Sequence, residues 1–265
     1  RKIVIADTLA PMVNRILDSP ENFDWKSLII ASIGFGLQIY GDFAGYSAIA
    51  RGVSRLFGIE MMINFRQPYL ATSVTDFWRR WHISLSTWFR DYLYIPLGGN
   101  KGSKLRTNVN LLIVMTIAGL WHGAAFGFIV WGLLHGIFLV ADKYFSKYVL
   151  RSKKLILAFL PLGWVITQGA VFFAWIFFRN PDLSEAVDIL SLILNRATGT
   201  FEISDALLVF SALVASFSLD LSEKFLAPMY QKRSQLAKGL LIGSLLIISL
   251  VLKSSTVIPF IYFRF

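Results

Sequence analysis

The strongest constraint on this chain is a set of long apolar segments separated by short charged ones. Four of them cover residues 27–50, 155–178, 206–221 and 239–258, and a fifth runs from 109 to 140. An α-helix needs about 20 apolar residues to cross the hydrocarbon core of a bilayer. Because the apolar runs are continuous and do not alternate, they favour helices over the strands of a membrane barrel. We therefore predict an all-α, polytopic integral membrane protein.

Composition agrees with this class of protein. Hydrophobic residues make up 55% of the chain and charged residues only 16%, whereas soluble domains carry about 25% charged residues. The absence of cysteine excludes a disulfide framework, a thiolate metal site and a catalytic thiol. No repeat or second domain is visible, so we predict a single membrane-embedded domain over residues 1–265. The chain begins like mid-protein sequence, and we expect further N-terminal spans to precede Arg1.

The net charge of +10 is concentrated in particular loops. Residues 51–106 carry nine Lys/Arg against three Asp/Glu, residues 142–154 carry five against one, and residues 179–205 carry two against five. Basic loops of membrane proteins lie on the cytoplasmic side. We therefore place the first two loops inside and the third outside. The same basic, aromatic chemistry suits anionic lipid headgroups, so we predict membrane lipid and no nucleic acid as a partner.

The apolar segment 109–140 predicts a break in a helix. At 1.5 Å per residue its 32 residues would extend about 48 Å, too long for one upright span and short for two. The glycines and alanines within residues 121–127, WHGAAFG, permit close contact between helices or an interruption of the helix inside the protein. A bent hairpin with this break returns the chain to the side it left, as the two flanking basic loops require.

Residues 60–106 combine aromatic rings with arginines. Rings settle at the headgroup level of a bilayer while arginines reach water or phosphate, so we predict an interfacial or partly re-entrant helix here. Pro96 and the following glycines should end it, because proline lacks an N–H group and glycine adopts turn conformations. The rings and charges in this segment include Phe77, Trp78, Arg79, Arg80, Trp81, Trp88, Phe89, Arg90, Asp91, Tyr92 and Tyr94.

The three histidines are the main candidates for chemistry. His122 lies within an apolar run, where an ionisable side chain is costly and suggests a function. A neutral imidazole can take a proton from a hydroxyl group near pH 7. The alternatives are a hydrogen bond across a helix interface for His122 and an interfacial position for His82. His135 is more simply a packing or hydrogen-bonding residue. Because the three are 40 and 13 residues apart without cysteines or a paired-histidine motif, we predict no metal.

Charged residues offer weaker candidates. Asp42 lies inside a predicted span and must find a partner. It either makes a structural ion pair or helix-cap bond with a neighbouring span, or it lines a substrate path or supports a catalytic histidine. The arginines Arg79, Arg80 and Arg90 either anchor a cytoplasmic loop or contact the phosphates of a cytoplasmic substrate. From the residues alone, the alternative to an enzyme is a transporter with a proton or anion path through His122, Asp42 and Arg79.

Three motifs resemble the signatures of the membrane-bound O-acyltransferase (MBOAT) family. They read DFWRRWHISLSTW at residues 76–88, RDYLYIPLGG at residues 90–99 and GLWHG at residues 119–123. The likeness is greatest to the bacterial branch that O-acetylates polysaccharides such as alginate. It implies an MBOAT-like helical bundle, a catalytic role for His122 in its Trp-His-Gly setting, and a second polar role for His82. The predicted substrate contacts beside them are Asp42, Arg79, Trp81, Arg90 and Trp121.

The resemblance also implies a reaction. A cytoplasmic acyl thioester, acetyl-CoA or another one, would donate an acyl group, in this branch acetyl, without any bound cofactor. His122 would deprotonate the acceptor hydroxyl and His82 would orient a reacting group. The expected partners are periplasmic acetyl-transfer proteins, with a polysaccharide as the final acceptor. The expected location is the bacterial inner membrane, crossed several times. The alternative within the family is a non-catalytic member that scaffolds a polysaccharide export or modification complex.

Overall fold

The computed structural model describes residues 1–148 and 153–251, which are almost wholly helical. Within these ranges the one β-type pairing is a single bridge between Phe23 and Thr200. The all-α prediction is confirmed. The described α-helices are α1 (Thr8–Leu17), α2 (Trp25–Leu56), α3 (Val74–Arg80), α4 (Ile83–Phe89), α5 (Lys104–His122), α6 (Phe126–Tyr148), α7 (Lys153–Arg179), α8 (Leu183–Leu194), α9 (Ile203–Gln231) and α10 (Gln235–Val251).

Four helical segments of the described residues are long and apolar enough to cross a membrane: Trp25–Leu56, Phe126–Ser146, Phe159–Arg179 and Ile203–Ser222. They coincide with three of the predicted spans and with part of the predicted hairpin, so a multi-pass chain is confirmed. The span predicted at 239–258 corresponds to α10 as far as Val251, and its remainder lies outside the described residues.

The long apolar segment forms two antiparallel helices. The helices α5 and α6 end and begin on either side of residues 123–125, so the break is confirmed at the predicted position. Two helices fit here because both extend beyond the apolar segment into polar residues. The helix α5 begins at Lys104 and has 19 residues, and α6 reaches Tyr148 and has 23. The side chain of Ser103 caps α5 by accepting a hydrogen bond from the Arg106 N–H at 3.2 Å.

The aromatic and arginine-rich segment differs from the predicted single helix. It contains two helices of seven residues, α3 and α4, followed by a π-helical turn at Arg90–Tyr94. They are separated because His82 adopts a left-handed backbone conformation, with φ 42° and ψ 54°. The predicted end is confirmed, since Gly98 and Gly99 make turns at φ 104° and 51° that L-residues with side chains rarely adopt.

The chain divides into two compact units. The first comprises Arg1–Val53 and the described residues from Leu192, and the second comprises the described residues between Ser54 and Ser191. In the first unit, Lys2 pairs with Asp42 of α2 at 2.8 Å, and Arg1 pairs with Asp220 of α9 at 2.8 Å. Carboxylates inside apolar helices are thus neutralised by basic partners.

The second unit contains an irregular segment that α7 stabilises. Trp164 donates its indole N–H to the Tyr69 carbonyl, and Gln168 donates its amide N–H to the Ala71 carbonyl, both at 2.8 Å. Non-helical backbone is tolerated at membrane depth only where protein satisfies its polar groups. These two bonds therefore hold the chain just before α3, whose C-terminal end leads to His82.

Candidate active site

His122 is the last residue of α5 and lies at the turn of the helix hairpin. Its imidazole is partly buried and meets the rings of Trp131 and Phe178 edge to face, at centroid distances of 5.3 and 4.9 Å. The turn is held in place because Gly127 donates its N–H to the Pro181 carbonyl at 2.9 Å, and a side chain at Gly127 would collide with that carbonyl. The hairpin is thus fixed against the C-terminal end of α7, which supplies Phe178.

His82 lies in the corner between α3 and α4. Its left-handed backbone costs about 1–2 kcal/mol for a residue with a side chain. The cost is offset by Asn64, whose backbone carbonyl accepts from the Ile83 N–H at 2.9 Å. The Asn64 amide oxygen accepts from both the N–H and the hydroxyl of Ser84, at 3.1 and 2.6 Å. Backbone strain that surrounding contacts maintain is typical of functional sites.

The same bonds orient the His82 ring. The Ser84 hydroxyl lies 3.4 Å from His82 Nδ1. Because that hydroxyl donates its hydrogen to Asn64, it can only accept from His82. In the tautomer that makes this bond, the imidazole hydrogen lies on Nδ1 and the lone pair on Nε2.

Replacing Asn64 with alanine is expected to loosen this corner. The change removes two hydrogen bonds to Ser84, each contributing about 0.5–1.5 kcal/mol, so the free energy of unfolding should fall by roughly 1–3 kcal/mol. The measurement is the thermal unfolding midpoint of the purified protein in detergent. Asn64→Asp is the matched control, because a carboxylate keeps both acceptor contacts. An Asn64→Ala midpoint equal to that of the wild type would contradict this account of the corner.

One aromatic layer connects His82 and His122. Trp81, beside His82, contacts Trp175 at 5.1 Å, and Trp175 stacks on Trp131 at 5.8 Å. Trp131 in turn contacts the His122 ring at 5.3 Å. The two residues are 40 positions apart in sequence and converge because the layer joins α3, α6 and α7.

The other predicted site residues occupy different positions. Trp121 is 56% exposed beside the His122 ring, whereas Trp81 is buried in the aromatic layer. Arg79 is exposed on α3, and Arg90 is exposed and paired with Asp91 at 2.7 Å. Asp42 belongs to the first unit, where its partner is Lys2. The substrate contacts assigned to these five residues remain predictions.

Three residues of the site carried no motif that could identify them. Asn64 lies in an irregular stretch before α3, and Trp131 and Phe178 read as ordinary apolar positions of spans. Only their contacts identify them as part of the site: Asn64 supports the corner that contains His82, and Trp131 and Phe178 contact the His122 ring. Within the described residues no three His, Asp or Glu side chains converge as metal ligands would, and the predicted absence of a metal remains a prediction.

Comparison with known proteins places these residues in a family. The sequence model of the membrane-bound O-acyltransferase family matches residues 3–179, a range that includes both histidines. The chain is 41% identical over 208 residues to a Pseudomonas aeruginosa protein named "Probable alginate O-acetylase AlgI". It is 40% identical over 194 residues to the "Peptidoglycan O-acetyltransferase" of Helicobacter pylori. It is 39% identical over 155 residues to the "Teichoic acid D-alanyltransferase" of Streptococcus thermophilus.

The three alignments cover a larger share of this chain than of its relatives. They include 77% of this chain for the Pseudomonas protein, 72% for the Helicobacter protein and 56% for the Streptococcus protein. They include only 38%, 36% and 36% of the relatives. The chain therefore spans little more than a third of the length of the curated relatives it matches.

Proposed function

Because the chain belongs to the membrane-bound O-acyltransferase family, we propose that it provides the reaction centre of a multi-pass membrane enzyme that O-acylates a polysaccharide. The observation that carries this proposal is the single aromatic layer that connects His82, in the corner between α3 and α4, with His122, at the turn of the helix hairpin. A pair of imidazoles in a largely apolar setting suits proton transfer at neutral pH. An ion-conducting path would instead need a line of polar groups along a span.

The proposed reaction is acyl transfer from a thioester to a hydroxyl group. His122 takes the hydroxyl proton as the oxygen attacks the thioester carbonyl carbon, and the new C–O bond forms. The tetrahedral intermediate then collapses, the C–S bond breaks, and the departing sulfur takes the proton from His122. His82, through Nε2, accepts a hydrogen bond from a second hydroxyl group of the acceptor and so orients the attacking oxygen. The products are an ester and a free thiol.

The finer assignments extend this proposal. Acetyl is the proposed acyl group, and acetyl-CoA or another cytoplasmic acyl thioester the proposed donor, with no bound cofactor. The relatives named for alginate and peptidoglycan O-acetylation support a polysaccharide as the final acceptor. Periplasmic acetyl-transfer proteins are the proposed intermediaries, and the bacterial inner membrane is the proposed location, with its lipid around the spans.

Deletion of the gene in its native host tests the proposal. We expect alkali-labile acetate on the cell-surface polysaccharide to disappear and to return when the intact gene is supplied from a plasmid. Isolated membranes should then transfer labelled acetyl groups from acetyl-CoA to polymer. Unchanged ester content in the deletion strain would overturn the proposal. Counterflow of an anion or proton in liposomes carrying the purified protein would instead support a transporter.

The pH dependence of the reaction follows from the surroundings of His82. This residue lies outside the four candidate spans, and burial lowers the pKa of its imidazole to about 4. The mechanism requires the neutral form of His82. This form therefore persists at lower pH than the neutral form of an exposed histidine, whose pKa is near 6.5. We expect acyl transfer by isolated membranes to stay level from pH 7 to about 5 and to fall towards pH 4. An acid limb centred near pH 6.5 would contradict this expectation.

A further inference from the structure

Two ring N–H groups of α6 are buried without an acceptor in the part of the chain that the structure describes. They belong to Trp131, which is 2% exposed, and to His135, which is fully buried. Neither the Trp131 indole nitrogen nor His135 Nε2 has a hydrogen-bond partner there. Buried polar groups in native proteins are almost always satisfied, so an orphaned group requires an explanation.

The contacts of His135 determine which of its nitrogens carries the hydrogen. Trp78 donates its indole N–H to His135 Nδ1 at 3.3 Å, so Nδ1 must offer a lone pair. The imidazole hydrogen therefore lies on Nε2. Both orphaned groups are then donors, and the partner that each lacks is an acceptor. Trp78 acts as a positioning residue, because its bond sets the tautomer of His135.

The two donors lie next to His122. Trp131 and His135 are one helical turn apart on α6, and their rings meet at a centroid distance of 5.0 Å. Trp131 also contacts the His122 ring at 5.3 Å, nearly perpendicular to it. Trp131 thus contacts both the proposed base and the second donor.

We propose that the N–H groups of Trp131 and His135 bind the carbonyl oxygen of the acyl donor. This assignment rests on the proposed function. As the acceptor oxygen bonds to the carbonyl carbon, the carbonyl electron pair moves onto that oxygen, and the two N–H groups stabilise the resulting negative charge. When the C–S bond breaks, the pair returns to re-form the carbonyl of the ester. Donors already in place before the reaction are effective because they need no reorganisation.

The proposal makes an unusual prediction about stability. A donor that has a protein acceptor stabilises the fold, whereas a buried donor without one costs free energy. Trp131→Phe removes an orphaned N–H and keeps an aromatic ring, so the unfolding midpoint should stay the same or rise. Trp164→Phe is the matched control, because the Trp164 N–H donates to the Tyr69 carbonyl at 2.8 Å. Its midpoint should fall, because the Tyr69 carbonyl loses its donor.

The experiment measures kcat, KM for the acyl donor and the unfolding midpoint for both variants in the intact protein. For Trp131→Phe we expect kcat to fall roughly 10²–10³-fold, the loss seen when one oxyanion donor is removed, with KM nearly unchanged. Wild-type turnover in Trp131→Phe would overturn the inference. A midpoint lowered as in Trp164→Phe would also overturn it, because the N–H would then be bonded to a structural water.

A second pair of variants covers the case in which Trp131→Phe does not fold. His135→Gln keeps an amide N–H near the position of Nε2, and His135→Leu has none. We expect the kcat of His135→Gln to exceed that of His135→Leu by tenfold or more, and equal values would overturn the inference. His122→Gln, measured beside them, separates the two proposals. If His122→Gln keeps wild-type turnover, the proposed function fails. If His122→Gln loses turnover while the Trp131 and His135 variants keep it, only the assignment of the two N–H groups to the carbonyl oxygen fails.

Discussion

Replacing His122 with glutamine is expected to lower acyl transfer by about 10²–10⁴-fold, the usual contribution of a general base. Glutamine fills a similar volume among the surrounding rings but cannot take a proton from a hydroxyl at neutral pH. The loss should fall on kcat, because the base acts in the transition state and not in donor binding. The measurement is the transfer of labelled acetyl groups by membranes that carry equal amounts of the wild-type or variant protein.

The outcome also distinguishes an enzyme from a scaffold. A His122→Gln protein that reaches the membrane at wild-type levels, assembles with its partners and leaves the polysaccharide unesterified acts as the catalyst. Ester content at the wild-type level in the same strain would exclude His122 as the base. That result would favour the non-catalytic scaffold, because esterification would then require the presence of the protein but not the His122 imidazole.

Replacing Gly132 with alanine is expected to cost at least about 3 kcal/mol, the upper range for overpacking. At this position α5 and α6 are in backbone contact. A Cβ on Gly132 would collide with the Met115 carbonyl oxygen and lie 3.1 Å from the Gly119 nitrogen. Backbone atoms cannot turn aside as a flexible side chain can, so the helices must separate. We expect a lower unfolding midpoint and less protein in the membrane.

Gly169→Ala is the matched control, because it makes the same chemical change in α7 at an exposed site with open space around it. There alanine should be neutral or should stabilise the helix by about 0.5–1 kcal/mol. The Gly132 variant should also lose acyl transfer, because His122 on α5 would shift relative to Trp131 on α6, and a displacement of about 1 Å can cost 10²-fold in rate. Equal midpoints for the two variants would contradict close packing at Gly132.

Sequence reasoning located the helices well. The break at residues 123–125 followed from the length of an apolar run and its small residues. The cost of placing an imidazole within such a run suggested a function for His122, and that role stays a prediction. The predicted single helix over the arginine-rich segment was wrong, because helix propensity does not anticipate that Asn64 holds His82 in a left-handed conformation. Asp42 was expected to need a partner, and the partner is Lys2.

By itself, the sequence determined where helices form and which segments are apolar enough to cross a membrane, since these properties depend on residues a few positions apart. The convergence of His82 with His122, the support from Asn64 and the ring contacts of Trp131 were decided only by the tertiary structure. Each of these contacts joins residues far apart in the chain. They exist because α5 and α6 pack backbone to backbone and the end of α7 closes over their turn, and such packing depends on the shapes of several helices together.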